Sequence, residues 1–252
     1  MRVMLDSHPN ISCGPMTRFL VDVVDAVIGK RLPDYLDRFG FPESYWWERV
    51  AELFDRIHSD YAARRGKRRW ADKTGRYALH IGVLDKLFPD CQVVHVLRDG
   101  RDVVASHRQR FGYVAAVKAA GKWPVYVRTA RSAGGRLGAG RYHEVRYEEL
   151  VTDTEATLRK LLEFLGEPWD DAVLDYSSKP HDLPPVYHSY TAARRDQGGE
   201  GSAVYRSRVG AGQRELDPIL RLACRLMATG TLRELNYLQP QRPSMGRTRV
   251  LP

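Results

Sequence analysis

The chain is short of cysteine, of lysine and of long apolar runs, and each shortage excludes something. Cys13, Cys91 and Cys224 are odd in number, far apart and not at metal-ligand spacing, so neither a disulfide framework nor a metal site is expected. Such usage suits a reducing cytoplasm. No apolar run approaches the ~20 residues of a membrane helix. The start, Met1-Arg2-Val3-Met4-Leu5-Asp6, reaches an acid too early to hold a signal-peptide core. The expectation is therefore a cytoplasmic protein with no membrane partner. Internal repeats are absent as well. What is present is ordinary for a globular chain: 252 residues, 43% hydrophobic and 28% charged, enough to bury a full core.

Only eight of the 40 basic residues are lysines, and the net charge is +9. The planar fork of arginine favours bidentate binding of phosphate or carboxylate, although arginine-rich usage also follows from genomic base composition. A pI near 9.6 is equally compatible with nucleic acid. The basic run Arg64-Arg65-Gly66-Lys67-Arg68-Arg69 would anchor a polyanion-binding reading. No nucleic-acid module accompanies it, and such runs are usually solvated faces, so no nucleic-acid partner is expected.

Apolar spacing predicts helices over Thr17 to Ile28, Glu43 to Ala63, Tyr77 to Leu87, Tyr113 to Ser132 (interrupted at Pro124), Thr154 to Leu165 and Asp217 to Met227. Gln92 to Leu97 and Tyr142 to Tyr147 read as short strands of the kind buried in parallel sheets. Trp70 to Gly75 reads as a loop, and residues 177–215 as a long functional loop. Helices alternating with few short strands predict a single α/β domain over 1–240, with a frayed tail at 241–252.

The chemistry concentrates in Phe88 to Arg110, FPDCQVVHVLRDGRDVVASHRQR. A buried strand delivers Arg98 to its carboxyl end, where open α/β sheets bind ligands. Asp99-Gly100 then opens a helix on which Ser106 and Arg110, four residues apart, share a face. Arg98, Ser106 and Arg110 together offer two cations and a hydroxyl to one phosphate. The same residues also read as a surface helix with a self-satisfied Arg–Asp pair. A Walker loop, GxxxxGK[ST], is missing, so an ATP kinase lacks support.

This segment resembles the 3′-phosphate motif of PAPS-dependent sulfotransferases, a strand ending in Arg-Asp-Gly-Arg followed by a serine on the next helix. Other stretches agree in the same order. Leu5-Asp6-Ser7-His8-Pro9 with Cys13-Gly14 is similar to the helix and turn after that family's phosphate loop, closest to the tyrosylprotein-sulfotransferase branch and its bacterial relatives. Trp70-Ala71-Asp72-Lys73-Thr74, Val145-Arg146-Tyr147-Glu148-Glu149-Leu150 and Val204 to Leu216 match later segments. The resemblance implies a P-loop-NTPase-like three-layer fold with a mainly parallel central sheet flanked by helices. It implies PAPS (3′-phosphoadenylyl sulfate) as co-substrate, no metal, and in-line transfer of a sulfuryl group to a hydroxyl or amine of a small-molecule or peptide acceptor. Carried over by position, Arg98, Ser106 and Arg110 hold the 3′-phosphate, Tyr147 lies against the adenine, Arg206 helps hold the nucleotide, and Lys73 stabilises the transition state.

Two departures qualify the resemblance. The family's opening strand and its loop Gly-x-Pro-Arg-Ser-Gly-Thr-Thr are not in the sequence, which predicts an N-terminally truncated sheet and a poorly stable chain. Met1 then reads as an internal methionine. Met16 occupies the position of the glutamate that serves as general base in the tyrosylprotein branch, and methionine cannot take a proton. His8 and His80 are the candidate substitutes. A non-catalytic remnant that binds adenosine 3′,5′-bisphosphate is the alternative reading. Tyr45, Trp46, Trp47, Tyr187 and Tyr190 are candidates either for an acceptor pocket or for the core.

Overall fold

The computed structural model describes residues 1–15, 18–28, 37–178 and 206–238. Met16, Tyr187, Tyr190 and the 241–252 tail lie outside the described residues. In chain order the helices and strands are α1 (Arg2–Ser7), β1 (Ile11–Cys13), α2 (Phe19–Ile28), α3 (Glu43–Arg64), β2 (Arg69–Ala71), α4 (Ile81–Leu87) and β3 (Val93–Leu97). They continue as α5 (Gly100–Phe111), α6 (Tyr113–Leu137), β4 (Tyr142–Arg146), α7 (Tyr147–Thr152) and α8 (Thr154–Leu165). The last three are α9 (Ala211–Glu215), α10 (Pro218–Met227) and α11 (Thr229–Glu234). Packing divides the chain into two compact units: Met1–Leu97 with Thr129–Arg206, and Arg98–Arg128 with the chain from Ser207 onward.

The first unit holds every described strand, and all pairing is parallel. β1 pairs with β2 from Ile11↔Arg69 to Cys13↔Ala71, and β3 with β4 from Val93↔Tyr142 to Leu97↔Arg146. Among the described residues the two pairs are not hydrogen-bonded to each other. They do share a core, in which Ile11, Ala71, Val94 and Val145 pack with Leu158, Leu161 and Leu162. α8 reaches that core because its leucines recur at helical spacing, and Gly166, at φ +71°, supplies the left-handed residue that ends it. The amino ends of β2 and β3 are tied by side chains. Arg69 bonds the Gln92 side chain and the Leu165 carbonyl (2.5 Å), and Gln92 donates to the Phe164 carbonyl at 2.6 Å.

A buried carboxylate organises the start of this unit. Asp6 accepts from the Cys13 amide at 2.9 Å and from Arg65 at 3.0 Å, while Lys67 bonds the carbonyls of Asp6 and Ile11. Arg68 reaches Asn10 and Arg69 reaches Glu167. The basic run that suggested a polyanion site thus has Arg65, Lys67, Arg68 and Arg69 engaged within the chain.

In the second unit, α10 starts as its sequence dictates. Pro218 sits at the first turn and the Asp217 carboxylate accepts from the Ile219 and Leu220 amides, both at 3.0 Å. Leu220 and Cys224 then pack on Val104 and Ala105 of α5 and Ala116 and Ala120 of α6.

Several elements differ from the sequence reading. Trp70 belongs to β2 rather than to a loop, and β1 was not anticipated, because strands of three residues are too short to show a period. The segment expected as one helix from Tyr77 divides into a 3-10 turn at Gly75–Leu79 and α4, with Tyr77 Oη held by the Asp72 carboxylate. α6 runs through Pro124 without ending there. The expected parallel pairing is present, and among the described residues it takes the form of two two-stranded pairs. Among the described residues each strand has one unpaired edge, and Val96 of β3 is 40% exposed, whereas strands in a covered parallel sheet are buried on both faces. Unpaired parallel edges forfeit ladder hydrogen bonds. Thermal unfolding followed by circular dichroism is therefore expected to be broad and centred below ~45 °C, the lower end for mesophilic domains. A sharp transition well above that range would contradict it.

Candidate active site

The site residues fall in both units, and each unit is built on its own terms. In the second unit the turn after β3 is locked from inside. The Asp99 carboxylate accepts from the Arg101 amide at 2.8 Å and grips its guanidinium at 2.6 and 3.0 Å, and Arg101 also donates to the Tyr237 carbonyl at 2.7 Å. Asp102 accepts from the amides of Gly210 at 2.8 Å and Gly212 at 2.7 Å. Burial pushes the Asp102 carboxyl above its usual range, while those amides and Arg98 act to hold it down. The late loop is thereby fastened to the Arg-Asp-Gly-Arg turn, and Arg98 donates to the Arg208 carbonyl at 2.8 Å. Two glycines make this closeness possible. A Cβ on Gly100 would lie 2.6 Å from the Trp123 ring, and one on Gly212 would lie 2.3 Å from the Arg101 backbone.

Arg98 leads this turn, and its carbonyl accepts from the Trp123 indole at 3.1 Å. Ser106 is half-buried on α5 and Arg110 is exposed one turn later, so both lie on one helix as expected. The sequence reading overlooked Arg208. Its Nη1 pairs with Glu215 at 3.0 Å, yet its Nε and Nη2 are buried with no hydrogen-bond partner among the described residues. Buried guanidinium donors without partners are costly, and an anionic oxygen satisfies them. No spacing rule distinguishes Arg208 from Arg206, since only the pairing of Asp102 with the loop brings Arg208 beside Arg98.

The first unit carries Lys73, Tyr147 and Arg206. Lys73 is exposed two residues beyond the end of β2. Tyr147 is half-buried and directly follows Arg146, which is in register with Leu97 at the ends of the paired strands. Both therefore leave carboxyl ends of parallel strands, the edge at which such sheets bind ligands. Arg206 is exposed and donates its Nε to the Val151 carbonyl at 3.0 Å.

The two histidines separate clearly. His8 is fully buried, with Nε2 on the Pro168 carbonyl at 2.8 Å and Nδ1 accepting from the Asn10 amide at 3.2 Å, so neither nitrogen is left for a substrate. His80 lies 3.4 Å from the Asp25 carboxylate, and burial lowers its pKa against the pull of Asp25. Its Nε2 makes no hydrogen bond among the described residues, and Asp25 is itself paired with Arg76 at 2.7 Å. Of the aromatic candidates, Trp47 packs on the Leu20, Val24 and Phe54 cluster, whereas Tyr45 stacks on exposed Phe41 and Trp46 meets it edge-on. Among the described residues no group of His, Cys, Asp and Glu has the arrangement of a metal site.

Overpacking tests the glycine at the turn. Gly100→Ala is expected to cost about 1–3 kcal/mol as Trp123 is displaced. Gly82→Ala, where a Cβ meets open space, is expected to be neutral or mildly stabilising. Urea denaturation of the two variants checks the contrast.

Comparison with known proteins places the chain in a family. The model of the sulfotransferase family matches residues 1–171. The chain is 28% identical over 201 residues to the protein-tyrosine sulfotransferase of Drosophila melanogaster, covering 73% of this chain and 39% of that protein. It is 27% identical over 185 residues to protein-tyrosine sulfotransferase 2 of Gallus gallus, covering 70% and 50%. The chain thus spans half or less of the length of these relatives. The sulfotransferase domain of the Synechococcus PCC 7002 olefin synthase superposes with a TM-score of 0.63 at 22% identity, over 95% of this chain and 90% of that domain, and shares its fold. With more than half of its length matched by the family model, this chain belongs to the sulfotransferase family.

Proposed function

We propose that the chain transfers a sulfuryl group from PAPS to a hydroxyl of a protein or peptide, with tyrosine as the acceptor favoured by the names of its relatives. The observation that carries the reading is the corner where Arg98 meets Arg208, whose buried Nε and Nη2 have no partner among the described residues and suit a phosphate. Arg98 and Arg208 bind the nucleotide's phosphate there, with Ser106 and Arg110 of α5 adding a hydroxyl and a second cation. Tyr147 presents an aromatic face for the adenine, and Arg206 adds a further cation. PAPS supplies the sulfuryl group, and the oxygen that leaves with the nucleotide gathers negative charge as the S–O bond breaks. Lys73 stabilises that charge. His80, whose pKa burial lowers, takes the acceptor proton in place of the base that Met16 cannot be. No metal takes part.

A second reading, nucleotide binding without turnover, is favoured by the unpaired edges of β2 and β3.

Binding and turnover are to be measured separately. Arg98→Ala and Arg208→Ala are each expected to weaken adenosine 3′,5′-bisphosphate binding by calorimetry about 10–100-fold. Lys73→Ala is expected to lower kcat by about 10²–10³ with little change in that Kd. Unchanged nucleotide affinity in both arginine variants would overturn the reading. Bisphosphate binding by a chain without sulfate transfer would select the second one.

The pH profile identifies the base. A lowered imidazole pKa keeps His80 deprotonated to lower pH than usual, so activity is expected to persist below about 6.5 before its acid limb falls. His80→Ala is expected to cut kcat by about 10²–10⁴ and abolish that limb. An unaltered limb in His80→Ala would remove the histidine from the mechanism.

A further inference from the structure

α6 and α10 lie side by side in the second unit and run the same way. Tyr113 Oη donates to the Asp217 carboxylate at 3.1 Å at their amino ends, and a Cβ on Gly121 would lie 3.3 Å from Met227 Sδ further along. Their inward faces meet through Ala116, Ala120, Leu220 and Cys224. The outward faces are also apolar. α10 exposes Ile219, Leu222, Leu226 (75%) and Met227, and the neighbouring stripe of α6 exposes Val114 (67%), Val117 and Val125.

Spacing explains the stripe. Positions 219, 222, 226 and 227, and 114, 117, 121 and 125, each fall on one side of a 3.6-residue helix. Monomeric proteins rarely expose a contiguous apolar patch beyond a few hundred Å², and seven such side chains across two helices exceed a scattered surface.

Cations line both flanks. Lys118 and Lys122 follow the stripe on α6, and exposed Arg221 and Arg225 follow it on α10. The α10 flank opens into a cleft of about 590 Å³ lined by Arg101, Arg221, Arg225, Leu216 and Leu232. Within the described part of this unit, twelve Lys and Arg stand against five Asp and Glu. Of the acids, Asp217 is occupied as the cap of α10, Glu215 by Arg208 and Glu234 by Arg128.

We propose that this two-helix face rests on an anionic phospholipid surface. The apolar stripe enters the boundary between headgroups and acyl chains, the flanking cations meet lipid phosphates, and the cleft beside Arg221 and Arg225 takes a headgroup. Charge selects this occupant over a second copy of the chain, since a symmetric contact would set one cationic rim against another. The absence of a membrane-spanning run argues against a span and leaves surface association open.

The test is co-sedimentation of the full chain with vesicles of phosphatidylcholine, alone or with about 30% phosphatidylserine. The chain is expected to pellet with the anionic vesicles and to be released by salt. Arg221→Gln with Arg225→Gln should lower the partition coefficient about 25-fold, near fivefold for each charge. Leu222→Ser with Leu226→Ser should abolish pelleting while leaving the circular dichroism melt unchanged, because both side chains are exposed. Equal or absent pelleting with the two vesicle types overturns the proposal. So does a dimer in sedimentation velocity that Leu222→Ser with Leu226→Ser dissociates. Should a variant misfold, the lipid and salt dependence of the unaltered chain decides alone. Sulfate transfer is read in neither arm, so the outcome is independent of the catalytic reading.

Discussion

Asp102 is a carboxylate with only 1% of its surface exposed, and a charge so placed must find partners or cost several kcal/mol. It finds them in the amides of Gly210 and Gly212, more than a hundred residues along the chain. The proposed phosphate corner depends on that contact. It sets the late loop on the turn after β3 and brings the Arg208 carbonyl to Arg98. It also demands glycine at 212, where a Cβ would strike the Arg101 backbone. Within Arg98-Asp99-Gly100-Arg101-Asp102, four residues are therefore architectural: Asp99 holds Arg101, Gly100 admits Trp123 and Asp102 anchors the loop. In the proposed reading Arg98 is the member that faces a ligand, while it also donates to the Arg208 carbonyl. Asp6 plays the corresponding part in the first unit, gathering the Cys13 amide and Arg65 around a second buried carboxylate.

What the sequence disclosed follows from the range of each interaction. Local periodicity was legible: α8 by its leucine spacing, α10 by Asp217-Pro218 and the apolar positions after it, β3 by its run of β-branched residues. The junction from β3 to α5 was legible because strand, turn and cap are contiguous. The pairing of Asp102 with Gly210 was not, since no local pattern encodes a contact over that separation. For the same reason the reading settled on Arg206 and passed over Arg208. Pro124 misled in the opposite direction. Its missing N–H removes one hydrogen bond, and the packing of Ala116, Ala119 and Ala120 against α5 and α10 outweighs that loss.

The surplus of arginine resolves into separate tasks. Arg65, Arg68 and Arg69 are consumed within the first unit, together with Lys67. Arg101 is consumed within the second. A charge run conspicuous in sequence is thus largely structural. The cations that remain exposed beside apolar surface are spread one or two at a time along α6 and α10, where no run draws attention to them. Net charge alone locates neither group, because the same side chain serves as a cross-link when a carbonyl or carboxylate lies in reach and as a recognition element when none does.

In the proposed function, binding and turnover rest on different supports in this chain. The proposed phosphate corner is held by Asp102, two glycines and the packed α5, α6 and α10, none of which needs a complete sheet. Lys73 depends instead on β2, a strand of three residues paired on one edge only. Stabilising a transition state demands placement to within about half an ångström, whereas holding a phosphate through several charged donors tolerates more. A loosened β2 edge therefore lowers turnover well before it lowers nucleotide affinity. The β3–β4 pair suffers less, because five residues in register and the shared core on α8 fix Tyr147 at its end. Under the proposed function the order of loss in a weakened sheet is then catalysis first, adenine stacking next and phosphate binding last.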